Sequence, residues 1–266
     1  MKTINDDEAR KLELDILIRF ADYCKKNDLR YYLAYGTLIG AIRHKGFIPW
    51  DNDVDVVMPR PDYEKLIRLT DAEKIADHIK VLDYKKERTF PFLKLADDRT
   101  RLKEHYLVTE ENMGVYIDIF PLDGMPDDPE KREKLFKKAA LFYKLFAVAN
   151  YRKNTGANAY KKFLKMICYP FSRMISSSWV CDRLNRLCEA YDYDKSEYVA
   201  DIVWGYDAAR EIMPKQYFEA AEVEFEGHFF CAPAEYDKML HQTYGDYMQL
   251  PPEEDRIVHE FEAEWK

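Results

Sequence analysis

Three aspartates spaced two residues apart open a segment that is otherwise typical of a buried β-strand. Asp51, Asp53 and Asp55 alternate with one polar and one apolar residue in the run DNDVDVVM. Side chains alternate along a strand, so the three carboxylates are predicted to point to one side, about 7 Å apart. At an effective dielectric constant near 20, each neighbouring pair repels by roughly 2 kcal/mol. Water, cationic side chains or a divalent ion must offset that repulsion.

The neighbours of these acids argue against an ordinary solvated loop. The bulky segment FIPW precedes them and VVM follows, which predicts partial enclosure. Carboxylate oxygens suit Mg²⁺ or Mn²⁺, which also take substrate phosphates as ligands. The same spacing opens a calcium-binding EF-hand loop, but Val56 stands where that loop requires glycine and Asp62 where it normally has glutamate. The pattern therefore favours a magnesium or manganese site.

A second feature lies upstream, in the run YGTLIGAIRHKG. A strand predicted over 30–36 ends at Gly36, Thr37 offers a hydroxyl group, and a helix is predicted over 37–46. Backbone N–H groups at the start of a helix favour anionic oxygen. Together with Asp-x-Asp on the next strand, this unit combines an anion cradle with a metal clamp. The combination indicates a site that handles phosphate.

Three further charged residues are candidates for the same site. Asp118 interrupts the apolar run GVYIDIF, where a carboxylate is costly without a cation or a donor; alternatively it caps a turn before Pro121. Lys94 lies in PFLKLA, and a lysine pointing inward from a strand needs an anion nearby, although it could also snorkel at the strand edge. Arg43 is a diphosphate-binding candidate or an ordinary surface arginine.

The remaining periodicity predicts a mixed α/β (α+β) fold. The turn-rich run PLDGMPDDPE, which includes Asp123 as a predicted turn residue, marks a boundary. A hairpin is predicted to turn at Glu226-Gly227. Helices are predicted over 6–27, 62–79, 130–194 (three) and 233–245, and further strands over 54–58, 80–84, 90–97, 114–120 and 197–204.

Charge and cysteine content exclude several classes of protein. The net charge of −8 argues against a general nucleic-acid binder, which needs a basic surface. The polar N-terminus has no apolar signal region, and no apolar stretch is long enough to span a bilayer. The five cysteines form no Cys-x-x-Cys pair or Cys/His cluster with zinc-ligand spacing. We therefore expect a cytoplasmic protein with reduced thiols.

One segment of this acidic chain is strongly basic. Residues 131–173 hold twelve Lys or Arg and one acid, Glu133, so their net charge is +11. Aromatic residues are interleaved throughout. Two interpretations stay open: helices with solvated basic faces around an aromatic core, or a docking surface for anionic lipid headgroups or a lipid-linked glycan. The second predicts peripheral contact with the inner face of a membrane.

At these motifs the chain resembles the LicD-type phosphocholine transferase family, whose relatives include the fukutin-related phosphotransferases. The resemblance covers most of the chain, and the middle helices are its least distinctive part. It rests on YGTLIGAIRHKGFIPWDNDVDVVMPR (35–60), PFLKLADDRT (91–100) and GVYIDIFPLDGMP (114–126), and continues through EFEGHFFCAP and YGDYMQLPP.

The resemblance implies a nucleotidyltransferase-like fold, with a mixed sheet core flanked by helices. We expect that core over 1–128, a basic helical insertion over 129–196, and C-terminal strands and a helix over 197–266 that pack back on the core. It also implies that the protein is an enzyme. Such enzymes transfer a phospho-alcohol, typically phosphocholine from CDP-choline, to a hydroxyl of a glycan or its lipid-linked precursor.

Site roles follow from the same resemblance. Gly36 and Thr37 would contact phosphate, Asp53 and Asp55 would bind Mg²⁺ or Mn²⁺, and Asp118 would be the third carboxylate, either a metal ligand or the base that accepts the acceptor's proton.

Two neighbouring positions are less clearly placed. The chain has Asn52 where the family commonly has another Asp; the position should point away from the clamp. Asp51 is a further candidate for substrate contact.

Two other functions stay open at this stage. A glycosyltransferase could use the Asp-x-Asp pair to bind a metal and a nucleotide sugar, although the preceding Gly-Thr helix speaks against it. A scaffold could keep the fold without catalysis, although it has no need for three acids. Near the C-terminus, Tyr244, Tyr247, Arg256 and His259 could line an acceptor or choline pocket or belong to a loop packed on the core.

Overall fold

The computed structural model describes residues 2–83, 85, 90–102, 113–150, 175–205, 210–256 and 262–266. It confirms the mixed α/β fold. The helices are α1 (Asp6–Lys26), α2 (Tyr35–Arg43), α3 (Arg60–Thr70), α4 (Pro129–Asn150), α5 (Ser177–Cys188) and α6 (Tyr236–Tyr244). The strands are β1 (Thr3–Ile4), β2 (Tyr32–Leu33), β3 (Asp55–Pro59), β4 (Ile79–Leu82), β5 (Leu93–Asp97), β6 (Thr100–Leu102), β7 (Tyr116–Met125), β8 (Tyr198–Ala200), β9 (Met213–Pro214), β10 (Ala220–Phe225), β11 (His228–Pro233) and β12 (Ala263–Trp265).

The central sheet has the order β2-β3-β7-β5-β4. Strands β3 and β7 are parallel, whereas β2 is antiparallel to β3, and β5 to both β7 and β4. The far end of β7 pairs with β8, which in turn pairs with β9. Strands β1, β12 and β6 form a separate small sheet, and β10 and β11 form a hairpin. Its turn falls at Glu226-Gly227, as the sequence predicted.

Helices cover both faces of the central sheet. On one face, Leu17 and Phe20 of α1 join the cluster that contains Ile119 of β7. On the other face, Phe136 of α4 and Leu184 of α5 join the cluster that contains Phe120. Alternate residues of β7 thus point to opposite helical layers, as expected for a strand that is buried on both sides.

Helix α1 begins as its sequence predicts. Asn5 caps it by accepting a hydrogen bond from the Glu8 N–H, and the Glu8 side chain accepts from the Asn5 N–H in return. Lys25 and Lys26 lie in the last turn, where a positive charge interacts favourably with the helix dipole. Within the described ranges, no helix combines the length and hydropathy that a bilayer span requires.

Several element boundaries differ from the sequence prediction. The strand expected over 30–36 is only Tyr32–Leu33, and helix α2 begins at Tyr35 rather than Thr37. The helix expected over 62–79 ends at Thr70. Of the three helices expected over 130–194, α4 and α5 are present, and residues 151–174 lie outside the described part of the chain.

The prediction that Asp123 is a turn residue is wrong. Strand β7 continues to Met125, and Asp123 is fully buried within it. Arg60, the first residue of α3, donates from Nε and Nη2 to the two Asp123 carboxylate oxygens at 2.6 and 2.7 Å. Arg60 Nη1 also donates to Asn185 Oδ1 on α5 at 3.2 Å. This buried ion pair holds α3 and α5 against the end of the sheet.

Removing one partner of this pair should destabilise the fold strongly. We expect Asp123→Ala to lower the free energy of unfolding by about 3–5 kcal/mol, because the Arg60 guanidinium is left buried without its carboxylate. The double variant Arg60→Met/Asp123→Leu should recover most of that loss. Urea unfolding of both variants measures this, and a loss below about 1 kcal/mol for Asp123→Ala would contradict it.

Candidate active site

A row of three charged side chains crosses three adjacent strands. Asp55 of β3 is paired in register with Asp118 of β7, and Asp118 is paired with Lys94 of β5. Lys94 is only 3% exposed, and its Nζ donates to Asp118 Oδ1 at 2.5 Å. The same Nζ lies 3.8 Å from the ring centroid of Tyr116 and 4.3 Å from that of Phe90. The lysine therefore does not snorkel to solvent; Asp118 and the aromatic rings hold its charge.

The carboxylates that lead into β3 are concentrated on one side. Asp51, Asp53 and Asp55 are partly exposed, whereas Asn52 and Val54 between them are buried. The Asp51 and Asp53 side chains lie within hydrogen-bonding reach of each other. Burial, together with the charges of Asp53 and Asp118, raises the pKa of Asp55 well above its ordinary value.

The start of α2 lies against this acidic group. A Cβ atom on Gly36 would come within 2.5 Å of Asp51 Oδ2, so any larger residue would displace the Asp51 carboxylate. Thr37 Oγ1 accepts from the Asp55 N–H at 2.8 Å, which ties α2 to the first residue of β3. No side chain caps α2 at Ala34, so its first N–H groups remain suited to an anion.

Arg10 of α1 holds the loop that carries the acids. Its Nε donates to Asn52 Oδ1 at 3.1 Å. Its Nη2 donates to the carbonyl oxygens of Pro49 and Asp51 at 2.8 and 3.1 Å. The Asn52 side chain is thus hydrogen-bonded on the side away from the carboxylates, as the alternation of side chains along the chain predicted.

The sequence analysis missed one carboxylate beside this group. Glu13 of α1 is fully buried, and neither of its carboxylate oxygens has a hydrogen-bond partner among the described residues. Burial and the charges of Asp53, Asp51 and Asp55 raise the pKa of Glu13 well above its usual value. Its burial could have been predicted from the sequence, because Glu13 falls on the buried stripe of α1 at helical spacing from Ala9 and Leu17.

Other predicted residues lie further out. Arg43 ends α2, about 12 Å along the helix from its start, and donates to the Tyr247 carbonyl at 2.6 Å and to His44. Arg256 lies over the ring of Trp50, and His259 is outside the described residues. Substrate contact by Arg43 stays a prediction.

The donor set fits a divalent cation held jointly with a substrate. In the described part of the chain, no group of three or more His, Cys, Asp or Glu side chains is arranged to hold a metal ion by itself. Mg²⁺ commonly takes one or two carboxylates and completes its ligands with water and substrate phosphate. Asp51 Oδ1 is buried with no hydrogen-bond partner among the described residues, and a cation bound there would satisfy it. The third-ligand role of Asp118 stays a prediction.

The buried Glu13 should make stability depend on pH. Its folded pKa is raised above the ordinary 4.5, so above pH 4.5 the unfolded chain loses this proton while the folded chain keeps it. Folding stability therefore falls as pH rises from that point. We expect Glu13→Gln to remove the contribution of Glu13 to this pH dependence. The free energy of unfolding of the variant should therefore increase relative to that of the wild type between pH 5 and pH 8.

Urea unfolding with a chelator present measures this effect. Asp22→Asn, at an exposed position of the same helix, is the control. An equal stability difference between Glu13→Gln and wild type at both pH values would contradict the assignment.

Comparison with known proteins gives this arrangement a family. A family model described as the LicD/FKTN/FKRP nucleotidyltransferase domain matches residues 28–143, which include α2, β3, β5 and β7. The chain is 32% identical over 267 residues to the lipopolysaccharide cholinephosphotransferase LicD of Haemophilus influenzae, with 97% of each chain covered. It is 31% identical over 136 residues to an uncharacterized protein of Rickettsia prowazekii, with 47% of each covered. The chain belongs to the LicD family.

Proposed function

We propose that this protein transfers phosphocholine from CDP-choline to a hydroxyl group of a glycan or its lipid-linked precursor, with Mg²⁺ or Mn²⁺ as cofactor. As a LicD-family member the chain is a phosphotransferase, and its relative in Haemophilus influenzae is a cholinephosphotransferase that acts on lipopolysaccharide. The observation that carries the proposal is the row of Asp55, Asp118 and Lys94 beside the uncapped start of α2.

Asp53 and Asp55 are the residues that would hold the cation, with Asp51 beside them. When bound, a divalent cation offsets negative charge on the diphosphate and on the leaving group. The N–H groups at the start of α2 would bind the same diphosphate from the opposite side. Gly36 keeps this approach open, since any larger residue would press on Asp51.

Asp118 would act on the acceptor. The acceptor hydroxyl attacks the phosphorus that carries choline, CMP leaves, and the hydroxyl proton must go to a base. Lys94 Nζ donates to Asp118 Oδ1 at 2.5 Å and fixes this carboxylate, which would take that proton or contact the cation. Both roles require the ion pair, because Lys94 offsets the charge that Asp118 adds beside Asp55.

Removing a cation ligand should abolish transfer without unfolding the protein. We expect Asp53→Asn to lower the rate of CMP release from CDP-choline at least about 100-fold, as loss of charge stabilisation in a transition state does. Wild-type release should also stop with a chelator and return with Mg²⁺. ³¹P NMR in the presence of a glycan acceptor measures both.

Asp22→Asn, at an exposed position of α1, is the matched control and should keep the wild-type rate. Near-normal turnover by Asp53→Asn, with an unchanged melting temperature, would contradict the metal assignment.

The proposal includes docking at the inner face of a membrane through residues 131–173 and their neighbour α5. Helix α4 is rich in lysine, and its Leu141 and Val148 are 57% and 41% exposed. Trp179 of α5, 49% exposed, lies beside the ring of Phe142 on α4. Exposed apolar side chains among lysines suit an anionic bilayer surface.

Vesicle co-sedimentation at low salt tests this docking surface. We expect wild-type protein to sediment with phosphatidylglycerol-containing vesicles and not with pure phosphatidylcholine. Leu141→Ser/Trp179→Ser should reduce the bound fraction at least threefold, because apolar burial in the interface is lost. The control Met248→Ser/Leu250→Ser removes two other exposed apolar side chains and should bind as wild type. Equal recovery with both vesicle types would remove the proposal.

A further inference from the structure

A cavity lies beside the acidic group, between the start of α2 and helix α6. It encloses about 480 Å³ of unfilled space, part of it open to solvent. Most of its wall is apolar, and the remainder carries hydroxyl and carboxyl groups. The apolar wall includes Leu33, Leu38, Met213, Phe218 and Leu240, and the polar wall includes Tyr35, Asp201, Glu211, Thr243 and Tyr244.

The charged groups in this wall are all acidic. Asp201 is 2% exposed; its Oδ1 accepts from the Val203 N–H at 3.0 Å and its Oδ2 from the Tyr35 hydroxyl at 2.9 Å. Burial and the charge of Glu211 raise the pKa of Asp201 to about 8. Among the described residues that line the cavity there is no Lys, Arg or His, and neighbouring Arg210 is exposed. Two carboxyl groups in an apolar cavity favour a cationic ligand.

The remaining wall selects the kind of cation. A primary ammonium brings three N–H donors that each need an acceptor, and this mostly apolar wall offers few. A quaternary ammonium has no N–H donor, and its methyl groups pack on aromatic faces and apolar side chains. The rings of Tyr35 and Tyr244 lie in the wall, and Tyr244 is 45% exposed, which leaves an entrance beside it.

The cavity borders the site of the proposed chemistry. Tyr35 immediately precedes Gly36, and the cavity wall includes Val57, two residues along β3 from Asp55. Tyr35 has a φ of +47°, a left-handed conformation that is strained for tyrosine and persists only where the surroundings hold it. The hydrogen bond to Asp201 and the edge contact with Phe120 at 5.7 Å hold it here.

We propose that this cavity binds the quaternary ammonium group of the transferred phosphocholine, with Asp201 and Glu211 facing its charge and Tyr35 and Tyr244 facing its methyl groups. The inference rests on the proposed function and names the residues that select which phospho-alcohol is transferred. A bound cation favours the ionised form of the two carboxyl groups, whereas CDP-alcohols with a neutral cargo, such as glycerol, gain nothing from them.

Isothermal titration of the full chain with CDP-choline and CDP-glycerol tests the assignment. Wild-type protein should bind CDP-choline at least tenfold more tightly. In Asp201→Asn/Glu211→Gln, affinity for CDP-choline should fall at least tenfold while affinity for CDP-glycerol changes less than threefold. Tyr244→Leu, at the exposed entrance, should weaken CDP-choline roughly three- to tenfold and provides a second variant should the double one fold poorly.

The control Glu219→Gln/Glu222→Gln removes two exposed carboxylates outside the cavity wall and should keep the wild-type ratio of affinities. An unchanged ratio in both cavity variants, or no preference in the wild type, overturns the assignment. CMP release is measured in parallel on wild-type protein. Release from CDP-choline with an unchanged ratio overturns the cavity assignment alone, whereas a preserved preference without release overturns the proposed transfer.

Discussion

The parallel pairing of β3 with β7 is the constraint on which the site depends. It sets Asp55 and Asp118 side by side, where their charges repel at close range. On the far side of β7 the antiparallel partner strand supplies Lys94 in the same row, and that lysine offsets one of the two charges. The concentration of carboxyl groups at Asp51, Asp53 and Asp55 is the basis of the proposed divalent-cation site.

The catalytic motifs were predictable because their chemistry conflicts with their local pattern. Asp118 and Lys94 interrupt apolar strands, and the alternation of the aspartates leading into β3 places their carboxylates on one side. Each is an exception to burial rules that can be seen in a few neighbouring residues. Asp201, between Ala200 and Ile202, carries the same kind of signal as Asp118, but nothing in its neighbourhood indicated a partner.

Other parts of the site depend on contacts between distant segments. Glu13 is separated from Asp53 by forty residues, and only the packing of α1 brings them together. The early start of α2 at Tyr35 depends on a left-handed backbone that Asp201 helps to hold from more than 160 residues away. Asp123 lies in a turn-rich sequence, yet this sequence continues strand β7, where Asp123 forms an ion pair with Arg60. The local sequence propensity for secondary structure does not reveal such long-range partners.

The hydrogen bonds from Arg10 to the segment around Asn52 have a consequence for enzyme engineering. They make the first helix a brace for the loop that presents the acids. Substitutions that weaken the packing of this helix would displace the loop, even when they lie far from any substrate. In an activity assay they would lower the rate as if a residue of the site itself had been changed. A library of variants that keeps the motif residues but randomises α1 would therefore still contain many inactive proteins.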